Sequence, residues 1–486
     1  MKRDEKRRNS EKYPKVISKK KKNPQIIGIM YFFVALFLCL IAYIGYFVYS
    51  DRESLINNAY NPRQELLAEK NIRGTIYSKD KDVLAETKVS GKKEIREYPY
   101  EQLFCHAVGY ASNGRMGVES LANYYLISSD ISVDEKLQNE INGKKNTADS
   151  VVTTLDVNLQ KVASDALGVY KGAAIVIEPS TGKILAMVSK PDFDPNTIAE
   201  NWNDIINDNS STVLLNRATQ GLYPPGSTFK IVTALEYIRE NPDTYDEYQY
   251  QCNGKFKINN STIRCYHGTV HGSEDLRKSF AKSCNSSFAN IGTKLDYEKF
   301  RKTLDAMLFD QKLPVDFNYK KSSIQVNANT VPEDMMQMAI GQGTNEITPL
   351  HLAMITEAIA NNGTLMTPYL IDYIQNADNE IIKKYDTVKY GELMNPAEAS
   401  VLSSMMEEVV ENGTGTKLSK QSYTAAGKTG SAEFNGVKED SHAWFTGFAP
   451  VENPQVVVTV ILEGAGSGGD YAVPIAKRIF DAYFKE

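Results

Sequence analysis

Apolar and polar positions follow three different patterns along this chain. Residues 25–49 form an uncharged run dominated by Ile, Phe, Leu, Val and Tyr. That run exceeds the ~20 residues a helix needs to cross a bilayer. A signal-peptide core would be ~7–15 residues with a small-residue cleavage site behind it. Here Tyr46-Phe47-Val48-Tyr49 closes the run instead. The pattern predicts one uncleaved span over 23–50. Residues 51–149 carry only short apolar runs mixed with charge, as in a small accessory domain. Within it, 73–76 and 83–85 read as paired strand pieces, and a short helix starts at Gly117 and ends near Leu126.

From Ser150 onward the periods lengthen. Asp156 is placed to cap a helix carrying Leu159, Val162, Ala163, Ala166 and Leu167. Residues 173–178 and 183–189 are apolar runs joined by Pro179-Ser180-Thr181-Gly182, a hairpin signature. Helical spacing recurs over 227–240, 276–294, 348–361 and 396–411, the last two closed by Asn362-Gly363 and Asn412-Gly413. Strand patterns over 423–433, 443–448 and 455–463 precede a final helix at 474–484. Together these predict an α+β fold in which helices flank an antiparallel sheet.

Charge changes the picture at one end. Residues 1–22 hold eleven Lys/Arg against three acidic residues, a net of +8, and the whole chain is −5, which leaves −13 for the remainder. A basic flank stays in the cytoplasm, so everything after residue 50 is expected outside. The tail serves topology and anionic lipid better than nucleic acid. The 486 residues, 42% hydrophobic and 24% charged, thus divide into a cytoplasmic tail (1–22), a span (23–50), an accessory domain (51–149) and a main domain (150–486).

Five cysteines and five histidines bear on metals and redox chemistry. Cys39 lies in the span and Cys105 stands alone. Cys252 and Cys265 are 13 apart; a bridge between them, worth ~3 kcal/mol, and two free thiols are both open. Cys284 reads as a small buried residue. His106, His267, His271, His351 and His442 show no metal spacing, and no close Cys/His array points to zinc. The expectation is neither cofactor nor metal.

The candidate chemistry sits in three short motifs in order. In Tyr223-Pro224-Pro225-Gly226-Ser227-Thr228-Phe229-Lys230 the prolines and glycine stop one element and Ser227 opens a helix. Ser227 and Lys230, three apart, then share a helix face, an amine beside a hydroxyl where the helix start favours negative charge. Spacing alone proves little, since Ser18/Lys21, Ser78/Lys81, Ser90/Lys93 and Ser279/Lys282 repeat it. Ser283-Cys284-Asn285 and Lys428-Thr429-Gly430 follow 56 and 201 residues after Ser227. This trio, in this order, marks serine β-lactamases and penicillin-binding proteins. Ser227 is the expected nucleophile and Lys230 its base, kept neutral part of the time by burial or by Lys428. Ser283 relays a proton to the leaving amine. Asn285 orients Lys230 and meets the substrate amide. Gly430 opens a strand edge to an extended peptide. Backbone amides of Ser227 and Ser431 suit an oxyanion hole. Lys428, Thr429 and the Ser431 hydroxyl suit a terminal carboxylate.

Further residues carry a resemblance to class B penicillin-binding proteins of the short-pedestal type. They include the stretch from Gly172-Ala173-Ala174 to Val188-Ser189, Leu215-Asn216-Arg217-Ala218, Ile340-Gly341-Gln342-Gly343, Thr348-Pro349 and Phe445-Thr446-Gly447-Phe448. After Arg73-Gly74 the chain departs from the usual pattern, with Ser78-Lys79-Asp80-Lys81 where Asp-Arg-Asn-Gly is common. The resemblance implies a penicillin-binding transpeptidase domain on a small N-terminal pedestal and one transmembrane helix. It implies a peptidoglycan D,D-transpeptidase, with stem peptides ending in D-Ala-D-Ala as substrate. Acylation of Ser227 by β-lactams and a membrane glycan polymerase of the SEDS family as partner come with it. The competing readings are a β-lactamase or D,D-carboxypeptidase, in which water deacylates, and a penicillin sensor or scaffold. A long anchor, a pedestal and no evident deacylating Glu weigh against the lactamase. A cytoplasmic part of only about 22 residues, too short to fold alone, weighs against the sensor.

Overall fold

The computed structural model describes residues 23–56, 63–91, 93–208, 210–433 and 441–485; the basic tail at 1–22 lies outside the described residues. The chain forms two compact units, Met1–Asn61 and Pro62–Glu486. In the first, Pro24–Ile56 is one α-helix. Its portion Pro24–Ser50 spans 27 residues, about 40 Å at 1.5 Å per residue, which is ample for a hydrocarbon core of about 30 Å.

The second unit is organised by a five-stranded antiparallel sheet. Its order is Ala426–Glu433, Ser441–Ala449, Val456–Leu462, Gly172–Glu178 and Lys183–Lys190. Strand side chains alternate between faces, and here both faces are covered. Ile175, Ile177, Val457 and Ile461 join one core with Leu352 and Ile355 of the helix Pro349–Ala360. Ala174, Val176, Val458 and Val460 join another with Leu159 and Phe480 of the helices Val157–Leu167 and Val473–Phe484. Covering both faces is why residues 456–462 read as an apolar run broken only by the buried Thr459 rather than as an alternation. The sheet ends at Ala426–Glu433, which pairs on one side only among the described residues.

Capping follows the sequence closely. Asp156 accepts from the Leu159 N–H, Thr348 from His351, and Asn395 with Glu398 forms a capping box. Each satisfies amides that a helix start leaves unpaired. A second sheet runs Ile381–Lys384, Ile371–Gln375, Ser150–Thr153, Ile76–Tyr77, Val83–Ser90 and Lys93–Glu97. Ile76 pairs with Ala85 as expected, and lies parallel to Val151. The strand Ser150–Thr153 therefore belongs to the same sheet as the accessory strands on the other side of position 149.

Three helices differ from their predicted extent. The run 276–294 is broken into Leu276–Ala281 and Asn285–Gly292, with Ser283 in the left-handed region at φ 57°. Such a conformation costs a non-glycine residue about 1–3 kcal/mol. The run 227–240 begins as a 3-10 turn, Gly226–Phe229, before the α-helix Lys230–Glu240. The accessory helix is likewise split, into Gly117–Leu121 and Asn123–Ile127.

Candidate active site

The three motifs converge. Ser227 lies on the 3-10 turn and lines a cleft of about 400 Å³ together with Asn285, Arg264, Gln342 and Ser431. Behind it, Lys230 is fully buried. Its Nζ donates to the Ser283 carbonyl at 2.8 Å and to Asn285 Oδ1 at 2.7 Å, and lies 3.2 Å from Ser283 Oγ. Lys428 is fully buried as well, with Nζ 3.0 Å from Ser283 Oγ and 3.1 Å from the Thr429 carbonyl. One serine hydroxyl therefore stands between two lysine nitrogens. The positive φ of Ser283 accounts for this, since a continuous helix would direct its side chain elsewhere.

Burial dominates the electrostatics. Desolvation pulls Lys230 down from 10.5 to about 8, while Cys284, Cys265 and Glu274 nearby hold it up. Lys428 is pushed well below its ordinary value by burial first and by Lys230 second. Of the two expected causes, burial and a neighbouring cation, burial is the main one for Lys230. The contacts of Lys230 suit either protonation state. Two neighbours are pure acceptors, which the two N–H bonds of a neutral amine satisfy, and its lone pair then remains for a hydroxyl proton. Asn285 is held by both ends of its amide, with Nδ2 donating to the Arg264 carbonyl at 3.1 Å. Its second Nδ2 proton is left for a ligand.

The wall opposite is the edge strand Ala426–Glu433. The space that Gly430 provides is taken by the turn carrying Ser227 rather than by a ligand: a Cβ there would stand 3.0 Å from the Pro225 carbonyl oxygen and 3.0 Å from Thr228 Cγ2. Gly341 is equally constrained, at φ 76° and with a Cβ position only 2.0 Å from the Gly226 carbonyl oxygen. Trp444, a fully buried aromatic, donates from Nε1 to the Pro224 carbonyl at 3.1 Å and anchors the same turn. Ser431 Oγ accepts from the Gly468 N–H at 3.2 Å, so its own proton remains available. The Thr429 hydroxyl meets that of Thr414. Thr414 and Arg264 escaped the sequence reading. Thr414 follows the Asn412-Gly413 helix stop, and the tight turn was the only signal it carried.

One grouping was not evident from the sequence spacing. Cys252, Cys265, His271 and Cys284 are spaced 13, 6 and 13 positions apart, and their Sγ and imidazole nitrogen atoms all lie within 4.8 Å of one another. All three cysteines are free thiols. The sequence shows no array because four separate segments supply the four groups.

Known proteins agree with this architecture. Residues 172–481 match the penicillin binding protein transpeptidase domain, and residues 73–151 match the penicillin binding protein A dimerisation domain. The peptidoglycan D,D-transpeptidase MrdA of Haemophilus influenzae is 29% identical over 442 residues, covering 81% of this chain and 66% of that protein. PbpA of Mycolicibacterium smegmatis, also named a peptidoglycan D,D-transpeptidase, is 29% identical over 419 residues, covering 81% and 84%. The imipenem acyl-enzyme structure of penicillin-binding protein A from M. tuberculosis superimposes with a TM-score of 0.77 at 27% identity, covering 85% of this chain and 99% of that one. These relatives favour the transpeptidase over the hydrolase and sensor readings. With a family model matched over residues 172–481, and an apolar helix at Pro24–Ser50 long enough to cross a membrane, the chain belongs to the penicillin-binding protein transpeptidase family.

Proposed function

We propose that this protein is a peptidoglycan D,D-transpeptidase that cross-links stem peptides ending in D-Ala-D-Ala. Ser227 Oγ attacks the carbonyl of the penultimate D-Ala and passes its proton to Lys230. The C–N bond to the terminal D-Ala then breaks, and Ser283 delivers a proton to the departing amine. The amino group of a neighbouring stem peptide attacks the acyl-enzyme and releases Ser227. The observation that carries this reading is the Ser283 hydroxyl, 3.2 Å from Lys230 Nζ and 3.0 Å from Lys428 Nζ. Such a bridge links the base to Lys428 on the edge strand, which proton relay requires.

Asn285 keeps Lys230 aimed and offers its free amide proton to the substrate. Lys428, Thr429 and the Ser431 hydroxyl bind the terminal carboxylate, and the backbone amides of Ser227 and Ser431 hold the oxyanion. The unpaired edge of Ala426–Glu433, kept against the nucleophile turn by Gly430, receives the acyl peptide as an added strand. β-Lactams acylate Ser227 by the same route. Residues 51–149 serve as the pedestal and 150–486 as the catalytic domain, outside the membrane, with the basic N-terminus inside. A SEDS-family polymerase supplies the glycan.

Labelling with fluorescent penicillin, followed by timing of its release, tests the reading. A long-lived adduct that Ser227→Ala abolishes is expected. Release within seconds would contradict transfer to an amine and favour a hydrolase.

A further inference from the structure

A second cleft, of about 560 Å³, adjoins the one that Ser227 lines. Gln325, Asn327, Asn329, Thr330, Asp334 and Thr344 line its wall, and Gln337 and Gly343 line both clefts. Gly343 leaves the rim between them low. Its φ is 79°, and a Cβ there would stand 3.8 Å from Gln337 Cβ. Cavities of about 300–1,000 Å³ take drug-sized ligands, so neither cleft alone holds a whole stem peptide with the sugar that bears it.

The edge strand directs a donor towards this second cleft. With the terminal carboxylate at Lys428 and Thr429, the upstream residues run along the edge from Ser431 to Glu433. There the way is closed. In the amide orientation that satisfies both of its ends, Gln342 donates from its side-chain nitrogen to the Glu433 carbonyl at 3.2 Å and accepts from the Glu433 N–H at 3.3 Å. One residue of a neighbouring strand would make the same pair of bonds. Backbone groups alternate in direction along a strand, so Ser431 presents its N–H and carbonyl to the same side as Glu433. A donor can therefore pair at Ser431, but the next place is taken. Gln342 is held in position, since its own N–H donates to the Gln337 carbonyl at 3.0 Å, and the carbonyl of its neighbour Gly341 accepts from the Gly226 N–H at 2.9 Å. A chain turned away here has Gly343 beside it.

The second cleft has the chemistry for an uncharged, hydrogen-bonding ligand. Among the described residues, none bonds to the side chains of Asn329, Gln337 or Thr344. Amides and hydroxyls both donate and accept, which suits the hydroxyl and acetamido groups of a sugar and the amide bonds of a peptide. Asp334 is the one ionisable group on the described lining, and its carboxylate disfavours anions.

We infer that this cleft binds the sugar-proximal part of the donor, the N-acetylated muramyl sugar with the first stem residues, and that Gln342 sends the chain there by ending the strand edge at Glu433. The inference rests on the proposed transpeptidase reading and places the part of the substrate that does not react.

The test uses the full chain in detergent and follows D-alanine release from two donors with the same reacting end, N-acetyl-D-Ala-D-Ala and a muramyl pentapeptide. The muramyl donor is expected to have a kcat/KM at least about tenfold higher, as one or two added hydrogen bonds would give. Asn329→Ala is expected to remove about fivefold to tenfold of that advantage. Gly343→Asn, a residue type that tolerates positive φ, is expected to do the same by raising the rim. Muramyl dipeptide, which lacks the reacting end, is expected to inhibit turnover of the muramyl donor without slowing penicillin acylation. In a Gln342→Ala background the effect of Asn329→Ala is expected to shrink, because the chain is no longer turned off the edge. Equal kcat/KM for the two donors, or an Asn329→Ala variant that lowers both alike, would overturn the cleft assignment. A full Asn329→Ala effect in the Gln342→Ala background would overturn the part given to Gln342. Failure of penicillin to label Ser227 in the unaltered chain would instead remove the transpeptidase reading itself.

Discussion

Lys230 Nζ lies 2.7 Å from Oδ1 of Asn285, a residue 55 positions further along the chain. The contact fixes an amine beside the nucleophile turn and ties its position to the broken helix that carries Ser283. Replacing Lys230 with alanine removes the base together with three contacts. Acylation by benzylpenicillin, followed by stopped-flow or gel fluorescence, is expected to fall by at least about 10²-fold. Retention of wild-type acylation would remove Lys230 from the mechanism.

The depressed Lys230 pKa carries a pH dependence with a definite sign. With the neutral amine as the proposed base, acylation is expected to rise with pH through a midpoint near the folded value of about 8. Stability follows the same direction. Between about 8 and the unfolded lysine value of about 10.4, the unfolded chain binds more protons than the folded one. Stability is therefore expected to increase across that window, and the depression of Lys428 adds in the same sense. A pH–rate profile and denaturation midpoints at several pH values check both. An acylation rate that falls from pH 7 to 9 would contradict this assignment.

Gly430→Ala places a methyl group 3.0 Å from both the Pro225 carbonyl oxygen and Thr228 Cγ2. Relief requires the nucleophile turn to shift away from the edge strand. Small displacements of reacting groups cost about 10²-fold in rate. Acylation is expected to drop by about that factor while the fold, measured by circular dichroism, persists. Unchanged acylation would show that the turn gives way without cost.

Glu119 joins the accessory strands to their helix. Its buried carboxylate accepts from Arg73 Nε at 2.7 Å, Arg96 Nε at 2.7 Å and Tyr98 Oη at 3.1 Å. Burial raises its pKa, but Arg73 and Arg96 hold it below the ordinary value. Removing the carboxylate strands two largely buried guanidinium groups. Glu119→Ala is expected to destabilise the chain by about 3–5 kcal/mol, measured by chemical denaturation, with the Ser227 cleft still labelled by penicillin in the folded fraction. A change below about 1 kcal/mol would put the pair in the class of exposed ion pairs.

How much of this was legible beforehand divides along a physical line. Local signals worked: Asp156 was read as a helix cap, helix starts were placed at 348 and 396, and 173–178 and 455–463 were read as strands. Ser227, Lys230, Ser283, Asn285 and Lys428 were legible as motifs, because the chemistry restricts residue type at each position. What periodicity could not reveal was the break at Ser283, since Leu276, Phe280 and Phe288 keep helical spacing across it. Long-range contacts were equally hidden. Nothing near Arg264, Thr414 or His271 in sequence says which distant residue each one meets. Gly430 was read as room for a ligand because only the fold shows Pro225 and Thr228 filling that room.

The most direct measurement is the site of the covalent adduct. Benzylpenicillin-treated protein is digested and its peptides are sequenced by mass spectrometry. The account predicts a stable penicilloyl group on Ser227, absent when Lys230 is alanine. An adduct on any other residue, or none at all in the intact protein, would contradict it.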